Sequence, residues 1–301
     1  MFPIIPANSA TVAGNKEGVF GYGTAASDYS LTNLVSSAGV VADDVTGLGT
    51  ARYQPAACEY GGDKGIFGYG SGPTAVTNLV SNTGVVAADQ AAVTGTARYG
   101  LAACGYGEDK GIFGFGRTTS MVAITNLVSN GGVVATDQAA TTGTARRSLG
   151  ACEYGDDKGI FAYGTSSGTS GVSMSNLVSN GGVIASDVTG VGTARWHMAA
   201  CSYGGDKGIF GFGEAGVYTG MTNLVTDAGV IGSDVTAVVG VNKRGYLAAT
   251  QYGGDKGIFG YGNDGTGGLS VTNLVTNEGV IGTDVTGVGT GREGPAACSF
   301  N

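Results

Sequence analysis

The sequence predicts an all-β fold: a six-bladed β-propeller with four antiparallel strands per blade, the C-terminal strand closing the N-terminal blade. Three observations predict it. A unit of about 48 residues recurs along the chain. Each unit contains four short apolar or small-residue runs separated by turn signals. The chain starts and stops partway through a unit, and the two part-units are complementary.

The repeat is marked by an arginine in a G-T-A-R-like segment. These are Arg52, Arg98, Arg146, Arg195, Arg244 and Arg292, at steps of 46, 48, 49, 49 and 48 residues. Six residues after each stands Cys58, Cys104, Cys152, Cys201, Thr250 or Cys298. D-K-G-I-F-G-[YF]-G follows, as over residues 63–70, then T-N-L-V or S-N-L-V, then G-V-[VI] and an aspartate. In one unit the strands read as 101–106, 111–115, 124–128 and 132–135. Gly-Asp, Ser-Asn and Gly-Gly clusters separate them, as tight turns require. No segment has a helical period over ten residues. Four strands at this period match a propeller blade rather than a helical solenoid.

Closure is read from the ends. Residues 16–23, K-E-G-V-F-G-Y-G, match a second strand, and residues 294–300 match a first strand. Phe300 falls where Tyr60, Tyr106, Tyr154, Tyr203 and Tyr252 fall elsewhere. The last strand is therefore expected to pair with the one containing Val19 and Phe20, which removes an open edge. Residues 1–14 read as an N-terminal extension and 15–301 as one domain. First strands crowd the axis and need small residues such as Ala102, Ala103 and Cys104. Phe67, Phe113, Phe161, Phe210 and Phe259 fill the widening space between sheets, beside glycines such as Gly68 and Gly114 that admit close approach.

Composition narrows the function classes. The chain has 59 glycines, 42% apolar and 13% charged residues. It is too apolar for disorder, and glycine without a three-residue period excludes collagen. A formal charge of −8 argues against a nucleic-acid partner. The N-terminus lacks a basic segment before an apolar one, so no signal peptide is expected. No run of eighteen apolar residues occurs, so no membrane insertion is expected. The five cysteines, one per repeat and odd in number, are expected to be free packing residues rather than disulfides or metal ligands.

An arginine before the inner strand, then an apolar strand ending in an aromatic and glycine, resembles the kelch repeat over about residues 15–301. The chain departs from kelch in its G-[YF]-G after the second strand and in lacking the late tryptophan of each blade. The G-T-A-R…D-K-G-I-F-G-Y-G wording is also similar to repeat proteins of bacteriophage virions. Kelch propellers generally serve as interaction platforms, and a few belong to enzymes. The resemblance thus implies a non-enzymatic phage virion structural or adhesion protein: a fibre, receptor-binding or decoration component. It would be made in the host cytoplasm, with other virion proteins or a host-surface glycan or protein as partner. The alternatives are a cellular kelch-type interaction or lectin-like module, and last a glycan-active enzyme.

Catalytic constellations are scarce. His197 is the single histidine, which excludes a zinc site built from several. No G-x-S-x-G elbow, Walker motif or EF-hand loop occurs. No catalytic residue, metal ligand or cofactor is expected. The arginines are expected either to form a cationic collar at a channel mouth or to brace neighbouring blades through the fourth-strand aspartates, as Asp89 with Arg98. The Asp-Lys pairs, such as Asp63 and Lys64, read as solvated turn residues.

The six units disagree most just after the landmark arginine: Tyr53-Gln54, Tyr99-Gly100, Arg147-Ser148, Trp196-His197, Gly245-Tyr246 and Glu293-Gly294. The loop between second and third strands varies too. Strand alternation puts both sets at one end of the blades. A rigid scaffold with diversified loops on one face is a common binding arrangement. Tyr53, Tyr99, Arg147, Trp196, His197 and Tyr246 are the expected ligand-binding residues, because aromatic and arginine side chains are favoured anchors.

Overall fold

The protein is described by a computed structural model over residues 16–72, 74–90, 95–138, 143–236 and 240–300. The expected N-terminal extension, 1–14, lies outside the described residues. Six antiparallel sheets follow one another around a central axis. Blade 2 has strands Ala56–Tyr60, Lys64–Gly68 and Thr77–Val80; blade 3 has Ala102–Tyr106, Lys110–Gly114 and Thr125–Val128. Blade 4 has Gly150–Tyr154, Lys158–Ala162 and Ser175–Val178. Blade 5 has Ala199–Tyr203, Lys207–Gly211 and Thr222–Val225; blade 6 has Ala248–Tyr252, Lys256–Gly260 and Thr272–Val275. Blade 1 is built from both ends of the chain. Ala296–Ser299 pairs with Gly18–Gly21, placing Cys298 opposite Val19 and Ala297 opposite Phe20. Among the described residues no helix is long and apolar enough to cross a membrane.

The fourth strand is shorter than the sequence suggests. Blade 1 has a two-residue strand, Val45–Thr46, paired with Leu31–Val35. In blade 3 the fourth segment touches the third strand at only two isolated bridges, Val128 with Val134 and Thr125 with Gln138. The reason is Asn126, which is wholly buried between them. Its side-chain amide donates to Ala135 O at 3.0 Å and Asp137 Oδ1 at 2.9 Å, standing in for a backbone ladder.

The same asparagine explains the landmark arginines. Each is 0–1% exposed, which rules out a cationic collar. Arg52 Nε donates to Tyr69 O at 2.7 Å, one terminal nitrogen to Thr50 O at 3.0 Å and the other to Asn78 Oδ1 at 2.7 Å. Asn78 and the Thr50 backbone N–H in turn donate to Asp89. Asp89 therefore belongs to the Arg52 network inside blade 2, not to Arg98. Arg98 works through Asn126, which bonds Asp137. The blades are braced instead by the guanidinium face: Arg52 lies 4.0 Å from the centroid of Tyr22, in blade 1. Every blade repeats this stack, and Arg292 over Tyr261 carries it across the closure.

The packing follows from residue size. Phe67 presses edge-on against Tyr22, ring centroids 5.2 Å apart, and occupies the space a side chain at Gly21 would need. Phe113 does the same at Gly68 and Phe161 at Gly114. The cysteines are free and buried. Cys58 Sγ fills the gap above Gly111 of the next blade, and Thr250 fills the equivalent gap above Gly18. Burial pushes the Cys201 thiol up to about 12, so it stays protonated and inert. The Asp-Lys side chains are part-exposed, while the turn backbone links blades: Gly61 N donates to Asp109 O at 2.8 Å.

Candidate recognition face at the channel mouth

The second residue after each landmark arginine lies on a closed ring. Gln54, Gly100, Ser148, His197, Tyr246 and Gly294 all have left-handed backbones, with φ between 53° and 62°. Each N–H donates to the carbonyl of its counterpart in the preceding blade: Gly100 to Gln54, Ser148 to Gly100, His197 to Ser148, Tyr246 to His197, Gly294 to Tyr246 and Gln54 to Gly294, at 2.7–3.2 Å. This cycle closes the propeller a second time, independently of the terminal strand. It also permits these positions to vary. The backbone makes the structural contact, so the side chain is free to differ, even though the left-handed region favours glycine.

The first residue after each arginine pairs with the variable loop. Tyr99 bridges Arg117, Arg147 bridges Thr165, Trp196 bridges Glu214, Gly245 bridges Asn263, and Glu293 bridges Thr24. Tyr53 accepts Ser71 N at 2.8 Å. The variable pairs and variable loops therefore share one face.

The six expected binding residues fall into two groups. Tyr53 and Tyr99 line a cleft of about 320 Å3 with Asp28, Ser71 and Gly72. Ser71 Oγ donates to Asp28 Oδ2 at 3.2 Å there. Arg147, Trp196, His197 and Tyr246 form one continuous stack. The guanidinium lies 5.7 Å from the Trp196 ring, Trp196 and His197 are 4.1 Å apart, and His197 and Tyr246 are 3.5 Å apart, nearly parallel. His197 is 4% exposed, so neither ring face is open to a ligand. Its Nδ1 lies 3.3 Å from Glu214 Oε2. A carboxylate only accepts, so Nδ1 carries the proton and Nε2 keeps a bare lone pair. Burial first, and then the charge of Arg147, lower its pKa to about 3, leaving the ring neutral.

Inside the ring lies an axial pocket of about 70 Å3. Gln54, Ser148 and His197 give it polar atoms, and Leu101, Leu149 and Met198 give it apolar wall. At the other end of the channel is a carboxyl pair that sequence reading missed. Glu153 reaches over Gly105 and hydrogen-bonds Glu59, which also accepts Ser299 Oγ at 2.8 Å. A side chain at Gly105 would coincide with the Glu153 carboxyl. Glu153 is half-buried in the channel wall, and its desolvation there, with the Glu59 charge second, holds its pKa well above the usual glutamate value. The signal was present in the sequence: Glu59, Gly105, Glu153, Ser202, Gln251 and Ser299 fill the most variable position of a strand that otherwise changes little. Among the described residues no group of three His, Cys, Asp or Glu is placed to hold a metal ion.

Comparison with known proteins finds no matching family model and no matching curated protein.

Proposed function

We propose that this chain is a non-enzymatic recognition protein whose variable channel mouth binds its partner. The single observation that carries the reading is the contrast at the mouth. Six equivalent backbone positions make the same hydrogen bonds, yet their side chains are glutamine, glycine, serine, histidine, tyrosine and glycine. A purely structural ring tends to repeat one packing solution, whereas a ligand without sixfold symmetry needs different groups in different blades. The resemblance of the repeat to phage virion proteins supports placing this face on a virus particle, as a fibre, adhesin or decoration component that meets other virion proteins or a host-surface glycan or protein.

The test replaces Trp196 and Tyr246 together by alanine. Circular dichroism and thermal melting check the fold, and attachment of the purified protein to host cells is measured. Loss of an anchor of this kind costs about 2 kcal/mol or more of binding. Undiminished attachment by a folded double variant would move the site off this mouth. Mass spectrometry of purified particles tests the virion setting separately.

A further inference from the structure

We propose that the axial pocket at the variable mouth takes part of one residue of a neutral saccharide, whose hydroxyl groups complete the hydrogen bonding of Gln54, Ser148 and His197. The inference rests on the recognition reading above and names its ligand class.

Among the described residues, six buried side-chain polar atoms have no hydrogen-bond partner. Three of them belong to residues that line the pocket, Gln54 Oε1, Ser148 Oγ and His197 Nε2, and a fourth, Arg147 Nε, lies next to Ser148 in sequence and outside the pocket lining. The His197 side chain is 2% exposed, and Ser148 is 8% exposed. Buried polar atoms are rarely left unpaired, because desolvation is then uncompensated. Gly100 sits between Gln54 and Ser148 in the ring and leaves a notch. A Cβ there would stand 3.6 Å from both Gln54 Oε1 and Ser148 Oγ.

The chemistry of the three pocket atoms selects the ligand. Gln54 Oε1 and His197 Nε2 only accept, and the Ser148 hydroxyl does both. An anion is served by Ser148 but offers nothing to the two acceptors. A cation satisfies the acceptors but meets the Arg147 charge, which acts on His197. A neutral hydroxyl group both donates and accepts, and adjacent hydroxyls on one ring serve all three. The pocket, about 70 Å3, admits part of one sugar ring, not an oligosaccharide. Tyr53, next to Gln54, opens onto the 320 Å3 cleft with Tyr99 and Asp28, where a ring face and a carboxylate acceptor suit the following sugar.

Trp196 is the only tryptophan in the chain and stacks on His197, so its emission reports on the pocket. The experiment titrates the full chain with glucose, galactose and N-acetylglucosamine, with glucuronate and glucosamine as charged controls, and repeats the titration by calorimetry. A saturable response to at least one neutral sugar is expected. Ser148→Ala should weaken it about tenfold, the loss of one hydrogen bond. Gly100→Ala, whose methyl group fills the notch, should abolish it, with circular dichroism confirming the fold. No saturable response to any neutral sugar, meaning the pocket holds water only, would overturn the proposal. So would tighter binding of a charged control, or equal binding by folded Ser148→Ala. Failure here is separable from failure of the recognition reading. Lost host attachment in the Trp196 and Tyr246 double variant, with no sugar response in the parent, keeps the face and removes the saccharide. A sugar response in the parent with attachment intact in that variant does the reverse.

Discussion

Gly150 pairs across two strands with Ala162, and every other blade has the pair the other way round. Ala56 faces Gly68, Ala102 faces Gly114, Ala199 faces Gly211, Ala248 faces Gly260, and Ala296 faces Gly21. Each pair supplies one methyl group beneath the phenylalanine of the next blade. In blade 4 the methyl has changed strands, and Phe210 lies 3.0 Å from where a Gly150 Cβ would stand.

This exchange predicts a coupled pair of substitutions. Gly150→Ala should overpack Phe210 and cost about 1–3 kcal/mol. Ala162→Gly should leave a small void and cost about 1 kcal/mol. Together they recreate the arrangement of the other blades, so the double variant should be close to the parent. Urea denaturation of all four proteins measures the coupling. Simple additivity would show that the two methyl positions are independent.

The buried arginines predict a large effect from a substitution usually thought mild. Arg146 donates to Tyr163 O, Thr144 O and Asn176 Oδ1 and covers the Phe115 ring at 4.2 Å. Burial lowers its pKa to about 10, with Asp187 offsetting part of the fall, so it is charged at neutral pH. Lysine keeps the charge but not the planar fork. Arg146→Lys should cost about 2–4 kcal/mol by leaving buried acceptors unpaired. A change below about 0.5 kcal/mol would mean that the aromatic stack alone braces the blades.

Much of this was legible in the sequence, and the departures have physical causes. The repeat, the closing strand, the phenylalanine-glycine contacts and the one-sided variability all follow from local residue choice. The Arg98 to Asp89 pairing did not hold, because neighbours in sequence across a blade boundary belong to different sheets. Asn78, in the T-N-L-V segment, is the link between arginine and aspartate, a role that a strand position does not signal. The fourth strand was over-read because an asparagine side chain replaces its ladder. The ring of left-handed residues was visible only as variability, since glutamine, serine, histidine and tyrosine give no local signal for that backbone. Glu59 and Glu153 were missed because their meeting depends on the missing side chain at Gly105 of the blade between them.

The Glu153–Glu59 pair predicts a loss of stability toward alkaline pH. Two ionised carboxylates do not hydrogen-bond each other, so the folded channel retains a proton. Glu153 has a raised folded pKa, against about 4.5 when unfolded. Between those values the native state binds more protons than the unfolded state, so stability falls as pH rises. Glu153→Gln keeps a hydrogen-bond donor and removes the titration. Its melting temperature should therefore gain on the parent from about pH 5 upward. Parallel curves would show that no proton is held there.

His197 predicts the opposite slope. Its folded pKa of about 3 lies below the ordinary 6.5, because burial and then Arg147 disfavour the imidazolium. Between those values the unfolded chain takes up a proton that the folded protein refuses. Its contribution to stability is complete above pH 6.5 and is lost as pH falls toward about 3, by up to about 1.4 kcal/mol per pH unit. His197→Phe preserves an aromatic between Trp196 and Tyr246 and cannot titrate. The variant should lose the Glu214 contact and be less stable than the parent at neutral pH, yet be less sensitive to acid. The measurement is urea denaturation of both proteins at intervals from about pH 7 to about pH 4, with the difference in unfolding free energy plotted against pH. The two curves should converge as the pH falls. A constant gap across that range would show that His197 titrates in the folded protein as it does in the unfolded chain, in which case below about pH 6.5 Nε2 carries a proton and donates into the axial pocket instead of accepting.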